Sequence, residues 1–258
     1  MEKGYIKVIK EIDKFSELID IQRDAWGLID IDIVPLHIFK AVADSLKPNG
    51  IVIGYFLEER IIGFITTFPT SNPKEVLAHW GAVSKEYQNT GVFYKLNLEL
   101  REIMRSHGVD KIFGTYDPLE SVNAHLYIRK LGGVITRHFI NYYGDIDSII
   151  HSGLPTDRFR VEWNIKDRSV EKGIRNRVKD YSRGINNTHE DKDTRYVEIP
   201  LNIQDIKNKD LDEAIEWRIR TRKLFDDIIE KQNLFGIDFI VDRINRKGIY
   251  VFKRILKK

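Results

Sequence analysis

The sequence predicts an α/β (α+β) fold in which a mixed, mostly antiparallel sheet is flanked by helices and followed by a C-terminal strand–helix–hairpin extension. Short apolar runs alternate with runs of helical period through residue 165, and two of the short runs flank a polar turn at 58–60. After residue 165 the composition becomes polar and basic. The sequence therefore predicts a sheet domain at 1–165, a polar basic connector at 166–194 and the extension at 195–258.

The first elements follow from local signals. Residues 4–10 read as a short strand, and Asp13 is expected to cap the helix that follows. A second helix is expected after Pro35. The apolar runs 51–57 and 61–68, on either side of the polar turn, predict an antiparallel hairpin.

The middle of the chain alternates strands with helices. A helix is predicted over 91–106 because apolar residues recur there at helical period, and Gly108 ends it. The other elements predicted in this part are strands at 76–83, 111–116, 134–143 and 158–165 and a helix at 120–130.

The extension is predicted as a strand at 196–200, a helix from about Asp210 to Gln232, and a hairpin of 237–241 and 249–255. The apolar stripe of the helix is expected either to lie in the core of its own chain or to contact a second subunit, so a homodimer is one expectation. The residues expected on the inner face of this helix are Leu211, Ile215, Ile219, Leu224, Phe225, Ile228 and Ile229.

Composition excludes several classes of function. The chain is 42% hydrophobic and 31% charged, and its net charge of +3 does not favour a polybasic nucleic-acid binder. The absence of cysteine excludes disulfides, thiolate metal sites and cysteine nucleophiles, and no two histidines have the i, i+4 spacing, so no metal is expected. No apolar run approaches the roughly 20 residues of a membrane span, and the amino terminus is unlike a secretion signal. A cytoplasmic protein without a membrane partner is expected.

The segment from Ala82 to Val92 passes from a strand through a polar loop into a helix N-terminus. A helix start offers unpaired backbone N–H groups and the positive end of the helix dipole. Gly91 lets the backbone approach an anion closely, so this loop is predicted to bind phosphate.

This segment resembles motif A of the GNAT superfamily of N-acyltransferases, Gln/Arg-x-x-Gly-x-Gly/Ala, of which residues 88–92 fill the first five positions. The stretch 120–132 is similar to motif B of that superfamily, and segments such as Trp26-Gly27 and 154–158 resemble one subgroup of predicted acetyltransferases with a C-terminal extension. The resemblance implies a GNAT-type sheet and acetyl-CoA as co-substrate, its pyrophosphate bound by backbone amides. The residues that it assigns to acetyl-CoA binding are Ala82, Val83, Gln88, Asn89, Thr90, Gly91, Val92, Phe93 and Asn123.

The sequence departs from the family pattern in both motifs. Phe93 stands where motif A has Gly or Ala, and its ring either fills the space of the pyrophosphate or turns under the helix and leaves that space open. In motif B, counting back from Gly132 places Ile128 at the position of the family's tyrosine, and Tyr127 lies one residue away, or about 100° around a helix.

The resemblance implies direct acyl transfer. A neutral amine attacks the thioester carbonyl, a backbone N–H near Val83 stabilises the oxyanion, a base takes the amine proton and an acid protonates the departing thiolate. His79 is the candidate base, because an unperturbed histidine has a pKa of about 6.5, and Tyr127 is the candidate acid. The alternative for His79 is a hydrogen-bonded histidine within the sheet.

Four residues are candidates for binding the acceptor, which is expected to be a small-molecule or peptide amine. Tyr116 and Asp117 lie at a predicted strand end, while Tyr142 and Arg158 could shape a pocket in which the arginine pairs with a carboxylate. An Asp-Pro turn explains Asp117 equally well, and strand packing with a surface ion pair explains Tyr142 and Arg158.

Three functions remain open from the sequence. The leading hypothesis is an acyl-CoA-dependent N-acyltransferase. The alternative, motivated by Phe93 and Ile128, is a GNAT-fold pseudoenzyme or binding module with weak or no CoA binding. The third is a nucleic-acid-associated protein, which the near-zero net charge disfavours. A solvated charged face is a simpler explanation of the basic residues that suggest it. The basic residues concerned are Arg175, Arg177, Lys179 and Arg183.

Overall fold

The computed structural model describes residues 4–28, 32–46, 48–144, 153–167, 170 and 193–255. Contacts divide the described residues into two units, one formed by residues up to Gly114 and the other by residues from Thr115 onward. In chain order the elements are β1 (Tyr5–Val8), α1 (Ile12–Trp26), α2 (Leu36–Ser45), β2 (Val52–Leu57), β3 (Arg60–Pro69), β4 (Glu75–Val83), α3 (Val92–Ser106), β5 (Lys111–Tyr116), α4 (Ser121–Ala124), β6 (Val134–Phe139), β7 (Arg158–Asn164), β8 (Thr194–Pro200), α5 (Ile203–Lys209), α6 (Leu211–Phe225), β9 (Phe235–Asp242) and β10 (Lys247–Lys253).

The first unit contains a sheet in the order β1-β2-β3-β4-β5. Its strands pair antiparallel except β4 and β5, which are parallel. Buried apolar side chains of α1 and α2 form one core with the sheet, in which Phe15, Phe39 and Phe64 are fully buried. The predicted mixed, mostly antiparallel sheet flanked by helices is therefore confirmed, including the hairpin of β2 and β3.

The second unit contains strands in the order β7-β6-β9-β10-β8, and each pair is antiparallel. The ring of Phe159 on β7 lies at the centre of its core, with ring centroids 4.6 Å from Phe225 and 5.4 Å from Tyr250. Residues of the predicted extension thus share a core with residues of the 115–165 segment. The predicted boundaries at residues 165 and 195 divide the chain by composition and stay a prediction.

Helix starts agree with the sequence only in part. Asp210 caps α6, since its Oδ1 accepts a hydrogen bond from the N–H of Glu213 at 3.0 Å, as predicted. The predicted cap at Asp13 is wrong, because α1 begins at Ile12 and Asp13 lies within its first turn. Helix α5 was not predicted, although Asn202 caps it by accepting hydrogen bonds from the first-turn N–H groups.

The inner face of α6 differs from the prediction at three positions. Leu211, Ile219 and Leu224 are 41%, 45% and 45% exposed, so their assignment to the inner face is wrong. Arg218 lies on the inner face instead, where it pairs with the buried carboxylate of Asp117. The apolar stripe of the helix therefore faces partly outward. This helix continues into a π-helical turn, Asp226–Lys231. The buried residues of the two are Ala214, Arg218, Thr221, Phe225, Ile228 and Ile229.

Two further findings concern only the ranges given above. No helix there combines the length and apolar character needed to cross a membrane. No three histidine, aspartate or glutamate side chains gather there as a metal site. The basic stretch 175–183 and most of the predicted connector lie outside the described residues.

Candidate functional site

Strand β4 is paired with β5 only over its first three residues. Its parallel pairing with β5 ends at Leu77, opposite Phe113. At the next position a Cβ on Gly114 would lie 2.8 Å from the carbonyl oxygen of Ala78. Beyond Ala78, β4 pairs only with β3 among the described residues, so no strand pairs with its second edge, called the open edge below.

A β-bulge lies at the start of this open edge. Ile65 of β3 pairs with Gly81 and Thr66 pairs with His79, so Trp80 is the extra residue of β4. Trp80 has a φ of 49°, which is unusual for an aromatic residue. The strand predicted at 76–83 does not include this bulge, although Gly81 in the strand interior is a signal for one.

The ladder beyond the bulge determines which backbone groups face the open edge. The N–H of Ser84 donates to the carbonyl oxygen of Ile62 at 3.0 Å. Hydrogen-bonded pairs alternate in an antiparallel ladder, so Val83 opposite Gly63 directs its N–H and C=O away from β3. Consistently, the Val83 carbonyl accepts a hydrogen bond of 3.1 Å from Nε2 of Gln88.

Ala82 is oriented differently from Val83. Its side chain is buried in the core beneath α1 and α2, and it faces Phe64 in a hydrogen-bonded pair of the ladder. Of the two strand residues predicted to bind acetyl-CoA, only Val83 presents its N–H at the open edge. The predicted role of Ala82 stays a prediction.

The loop after β4 contains two left-handed residues. A short 3₁₀ turn, Lys85–Tyr87, is followed by Gln88 in an extended conformation, and Asn89 then has a φ of 62°. The hydroxyl of Thr90 donates to the carbonyl oxygen of Tyr87 at 2.6 Å and closes the loop. Backbone that alternates between right- and left-handed conformations can turn successive N–H groups to one side, as anion-binding loops do.

The first turn of α3 is not capped by a side chain. Its N-cap residue is Gly91, with a φ of 88°, and a Cβ built there would have no atom within 4 Å. No acidic residue stands in the first turn. The side chain of Val92 points inward and lies against Gly63. The helix start therefore combines positive potential with open space, which suits a phosphate group.

The ring of Phe93 lies against the sheet. A Cβ on Gly81 would stand 2.8 Å from two atoms of that ring, so the ring occupies the space that the glycine leaves above β4. This position corresponds to the interpretation in which the ring turns under the helix. It leaves the outward side of Gly91 open.

We expect Phe93→Ala to leave the affinity for CoA within threefold of the wild-type value. The ring contributes packing between α3 and β4, so the free energy of unfolding should fall by about 2 kcal/mol. Isothermal titration calorimetry and urea denaturation measure the two quantities. A tenfold or larger gain in affinity would instead show that the ring obstructs CoA binding at the phosphate loop.

His79 lies on β4 immediately before the bulge. Its ring centroid is 4.3 Å from that of Trp80 and 6.3 Å from that of Phe68. The histidine is half-buried and therefore lies in an aromatic environment at the open edge. Its role as general base stays a prediction.

The motif B segment is wider than an α-helix. Helix α4 continues into a π-helical turn, His125–Lys130, in which the N–H of Leu131 donates to the carbonyl oxygen of Leu126, five residues earlier. A π turn adds one residue to the helical count. Counting back from the C-terminal end at α-helical spacing, which places Ile128 at the tyrosine position, therefore does not hold through this turn.

Ile128 and Tyr127 of this turn both contact the core of the second unit. Ile128 is fully buried in the core of the second unit. The ring of Tyr127 is 5.5 Å from that of Tyr116, and burial raises the pKa of its hydroxyl. At neutral pH Tyr127 therefore holds its proton, as an acid must. Asn123 is half-buried on α4, and its role stays a prediction.

Tyr116 and Asp117 are held firmly by their own unit. The hydroxyl of Tyr116 donates to that of Tyr250 at 3.4 Å, and Tyr250 donates in turn to the carbonyl oxygen of Pro118 at 2.8 Å. Oδ1 of Asp117 accepts from the N–H of Leu119 at 2.8 Å, which is the predicted turn. Burial would raise the pKa of Asp117, but its pairing with Arg218 outweighs burial and keeps the pKa below its usual value.

Tyr142 and Arg158 lie near each other through a third side chain. The guanidinium of Arg158 is 5.0 Å from the ring centroid of Tyr143, which lies 4.8 Å from that of Tyr142. Tyr142 is 49% exposed and available to an acceptor. Asp157 is buried and accepts two hydrogen bonds of 2.8 Å from Arg222. The ion pair that Asp157 forms with Arg222 is therefore not on the surface. The acceptor roles stay a prediction.

His138 is buried beside the Asp157–Arg222 ion pair, and no sequence pattern predicts a role for it. Its Nε2 is 3.9 Å from Oδ2 of Asp157, and neither ring nitrogen has a hydrogen-bond partner within the described residues. Burial lowers the pKa of His138 below 6.5, although Asp157 raises it in part. The neutral imidazole is thus the form that the folded chain favours.

The free energy of unfolding should depend on the protonation of His138. The unfolded chain takes up this proton first as the pH falls below the unfolded value of 6.5. The contribution is therefore complete above that pH and is lost as the pH falls to the folded-state pKa. Urea denaturation at pH 8 and pH 5.5 should give a smaller loss for His138→Phe than for the wild type. Equal losses in the two proteins would contradict this assignment.

Comparison with known proteins adds a family to this geometry. Residues 15–132 match the model described as the acetyltransferase (GNAT) family. A search of curated proteins gives no match.

Solved structures share the fold at low sequence identity. The ribosomal-protein-S18-alanine N-acetyltransferase from Escherichia coli aligns with a TM-score of 0.52 and 16% identity, over 64% of this chain and 96% of that chain. A probable acetyltransferase from Staphylococcus epidermidis aligns with a TM-score of 0.51 and 9% identity, over 62% and 98%. The acetyltransferase of the GNAT family from Streptococcus pneumoniae aligns with a TM-score of 0.50 and 19% identity, over 62% and 98%. At these identities the likeness concerns the fold.

Proposed function

Because residues 15–132 of this chain match the acetyltransferase (GNAT) family, we propose that the chain is an acyl-CoA-dependent N-acyltransferase that uses acetyl-CoA. The acceptor is an amine of a small molecule or a peptide, and transfer is direct. The observation that carries the proposal is the uncapped start of α3 at Gly91, with open space on its outward side.

The residues of the loop fit the diphosphate of CoA. Asn89 and Gly91 are left-handed, and the first turn of α3 offers N–H groups without a competing side-chain cap or acidic neighbour. Two phosphates bind such a helix start through charge and hydrogen bonds together. The chain therefore has a place for the diphosphate that requires no rearrangement of Phe93.

The open edge of β4 supplies the oxyanion donor. Acetyl-CoA contributes a thioester, whose carbonyl carbon forms the new C–N bond as its C–S bond breaks. The N–H of Val83 points away from β3 and is available to hold the carbonyl oxygen while negative charge develops there. Orientation by the loop and this donor account for most of the expected rate enhancement.

His79 and Tyr127 are proposed as base and acid. His79 takes a proton from the amine nitrogen, and Tyr127, whose pKa is raised by burial, gives a proton to the departing sulfur. We expect Tyr127→Phe to lower kcat by roughly 10²–10⁴-fold with little change in KM for acetyl-CoA. Steady-state kinetics measure this with any amine that proves to be a substrate. An unchanged kcat would exclude Tyr127 as the acid.

Calorimetry with acetyl-CoA and CoA tests the proposed function directly. Micromolar binding of both supports an acyltransferase, and the absence of heat at millimolar ligand would support the alternative of a GNAT-fold binding module. A screen of amines with release of free CoA thiol as the readout then identifies the acceptor class.

A further inference from the structure

The outward face of α6 carries exposed aliphatic and charged side chains together. Ile219 and Leu224 are each 45% exposed on this face. A shallow depression in the surface is lined by Glu216, Ile219, Arg220, Lys223 and Leu224, which recur at helical spacing. Ile219 and Leu224 lie at opposite borders of this face, about 140° apart around the helix, with Glu216, Arg220 and Lys223 between them.

The charges of this patch are separated along the helix. Glu216 lies on the N-terminal side of Ile219, whereas Arg220 and Lys223 lie on its C-terminal side. Neither Glu216 nor Lys223 forms an ion pair within the part of the chain that the structure describes. The guanidinium of Arg220 lies 3.8 Å from the ring centroid of Trp217, which holds it at the edge of the patch.

This arrangement is complementary to itself under a two-fold rotation. With an axis through Ile219, Glu216 lies about 4.5 Å along the helix on one side and Lys223 about 6 Å on the other, at 1.5 Å per residue. An antiparallel copy of the helix therefore brings Glu216 opposite Lys223 twice, and places Ile219 against its own equivalent. A two-fold interface requires this property, because the same patch serves both subunits.

We propose that α6 is the interface of a homodimer, in which a second copy of this chain packs its own α6 antiparallel across Ile219. Ile219 supplies the apolar contact at the axis, and the Glu216–Lys223 pairs set the antiparallel direction. The mixed charge of the patch does not favour a uniformly anionic partner such as a phospholipid surface or a nucleic acid. The proposal is independent of the transferase activity.

Charge exchange tests the interface. Glu216→Lys and Lys223→Glu each place like charges opposite each other twice, so each variant should self-associate at least tenfold more weakly than the wild type in sedimentation velocity. An equimolar mixture of the two variants restores opposite charges and should form a 1:1 heterodimer. The double variant should dimerise as the wild type does. Glu99→Lys, a charge reversal on the exposed side of α3, is the matched control and should leave dimerisation unchanged.

Three results would overturn the proposal. The first is a wild-type chain that stays monomeric at every concentration up to about 100 μM. The second is a dimer that survives both single charge reversals and Ile219→Asp, which would place the interface elsewhere. The third is failure of the mixed variants to associate although each has a wild-type circular dichroism spectrum and melting temperature.

Discussion

Replacing Asp117 by Asn should lower the free energy of unfolding by about 3–5 kcal/mol, because it leaves a buried guanidinium without its counter-charge. Arg218 is 1% exposed and Asp117 is 4% exposed. Their pairing raises the pKa of the arginine even though burial would lower it. Water cannot replace the lost carboxylate at this depth, so most of the desolvation cost of Arg218 appears as lost stability.

Urea denaturation of three variants measures this cost. The exposed pair Lys247–Glu198 provides the control, and Glu198→Gln should cost no more than about 0.5 kcal/mol. The double variant Asp117→Leu with Arg218→Met should be more stable than Asp117→Asn, because it removes both charges and fills the space. If Asp117→Asn unfolds like the control but raises KM for the amine, the predicted contact with the acceptor is the better explanation of Asp117.

The second large effect concerns Gly91 and the affinity for acetyl-CoA. Asn and Asp both tolerate left-handed backbone, so Gly91→Asn and Gly91→Asp should keep the loop conformation. A carboxylate there would lie near the diphosphate, and unit charges about 5 Å apart repel by about 3 kcal/mol at an effective dielectric constant of about 20. Gly91→Asp should therefore bind acetyl-CoA roughly a hundredfold more weakly than Gly91→Asn.

A matched glycine separates charge from backbone strain. Gly144 also has a left-handed φ, 67°, with no atom within 4 Å of a built Cβ, but it lies outside the phosphate loop. Gly144→Asp should leave the affinity for acetyl-CoA unchanged. Equal affinities of Gly91→Asp and Gly91→Asn in calorimetry would show that the diphosphate binds elsewhere.

The sequence predicted the hairpin of β2 and β3 and the start of α3 because these depend on local patterns. Period and turn residues fix the hairpin of β2 and β3, and the glycine at position 91 marks the start of α3. The π turn in motif B was not predictable, because its extra residue is absorbed by hydrogen bonds that skip five residues instead of four. A count at α-helical spacing therefore does not hold through this segment.

The inner face of α6 was mispredicted for a different reason. Apolar periodicity assumes that burial follows hydrophobicity, but Asp117 lies about a hundred residues away in sequence and draws Arg218 into the core. Ile219 then faces outward, since it follows Arg218 directly on the helix. No local window contains both members of that pair. Buried charge pairs of distant residues are therefore where periodicity fails first.

The contact between Phe93 and Gly81 has a consequence for the evolution of this chain. An added methyl group at position 81 would collide with the ring at position 93, while Gly81 alone leaves a vacancy if the ring becomes small. We therefore expect the two positions to change together. Homologues with the family's usual small residue at the sixth place of motif A are expected to have a residue larger than glycine at the position of Gly81 on β4. The atypical phenylalanine is in this sense one half of a compensated pair with Gly81.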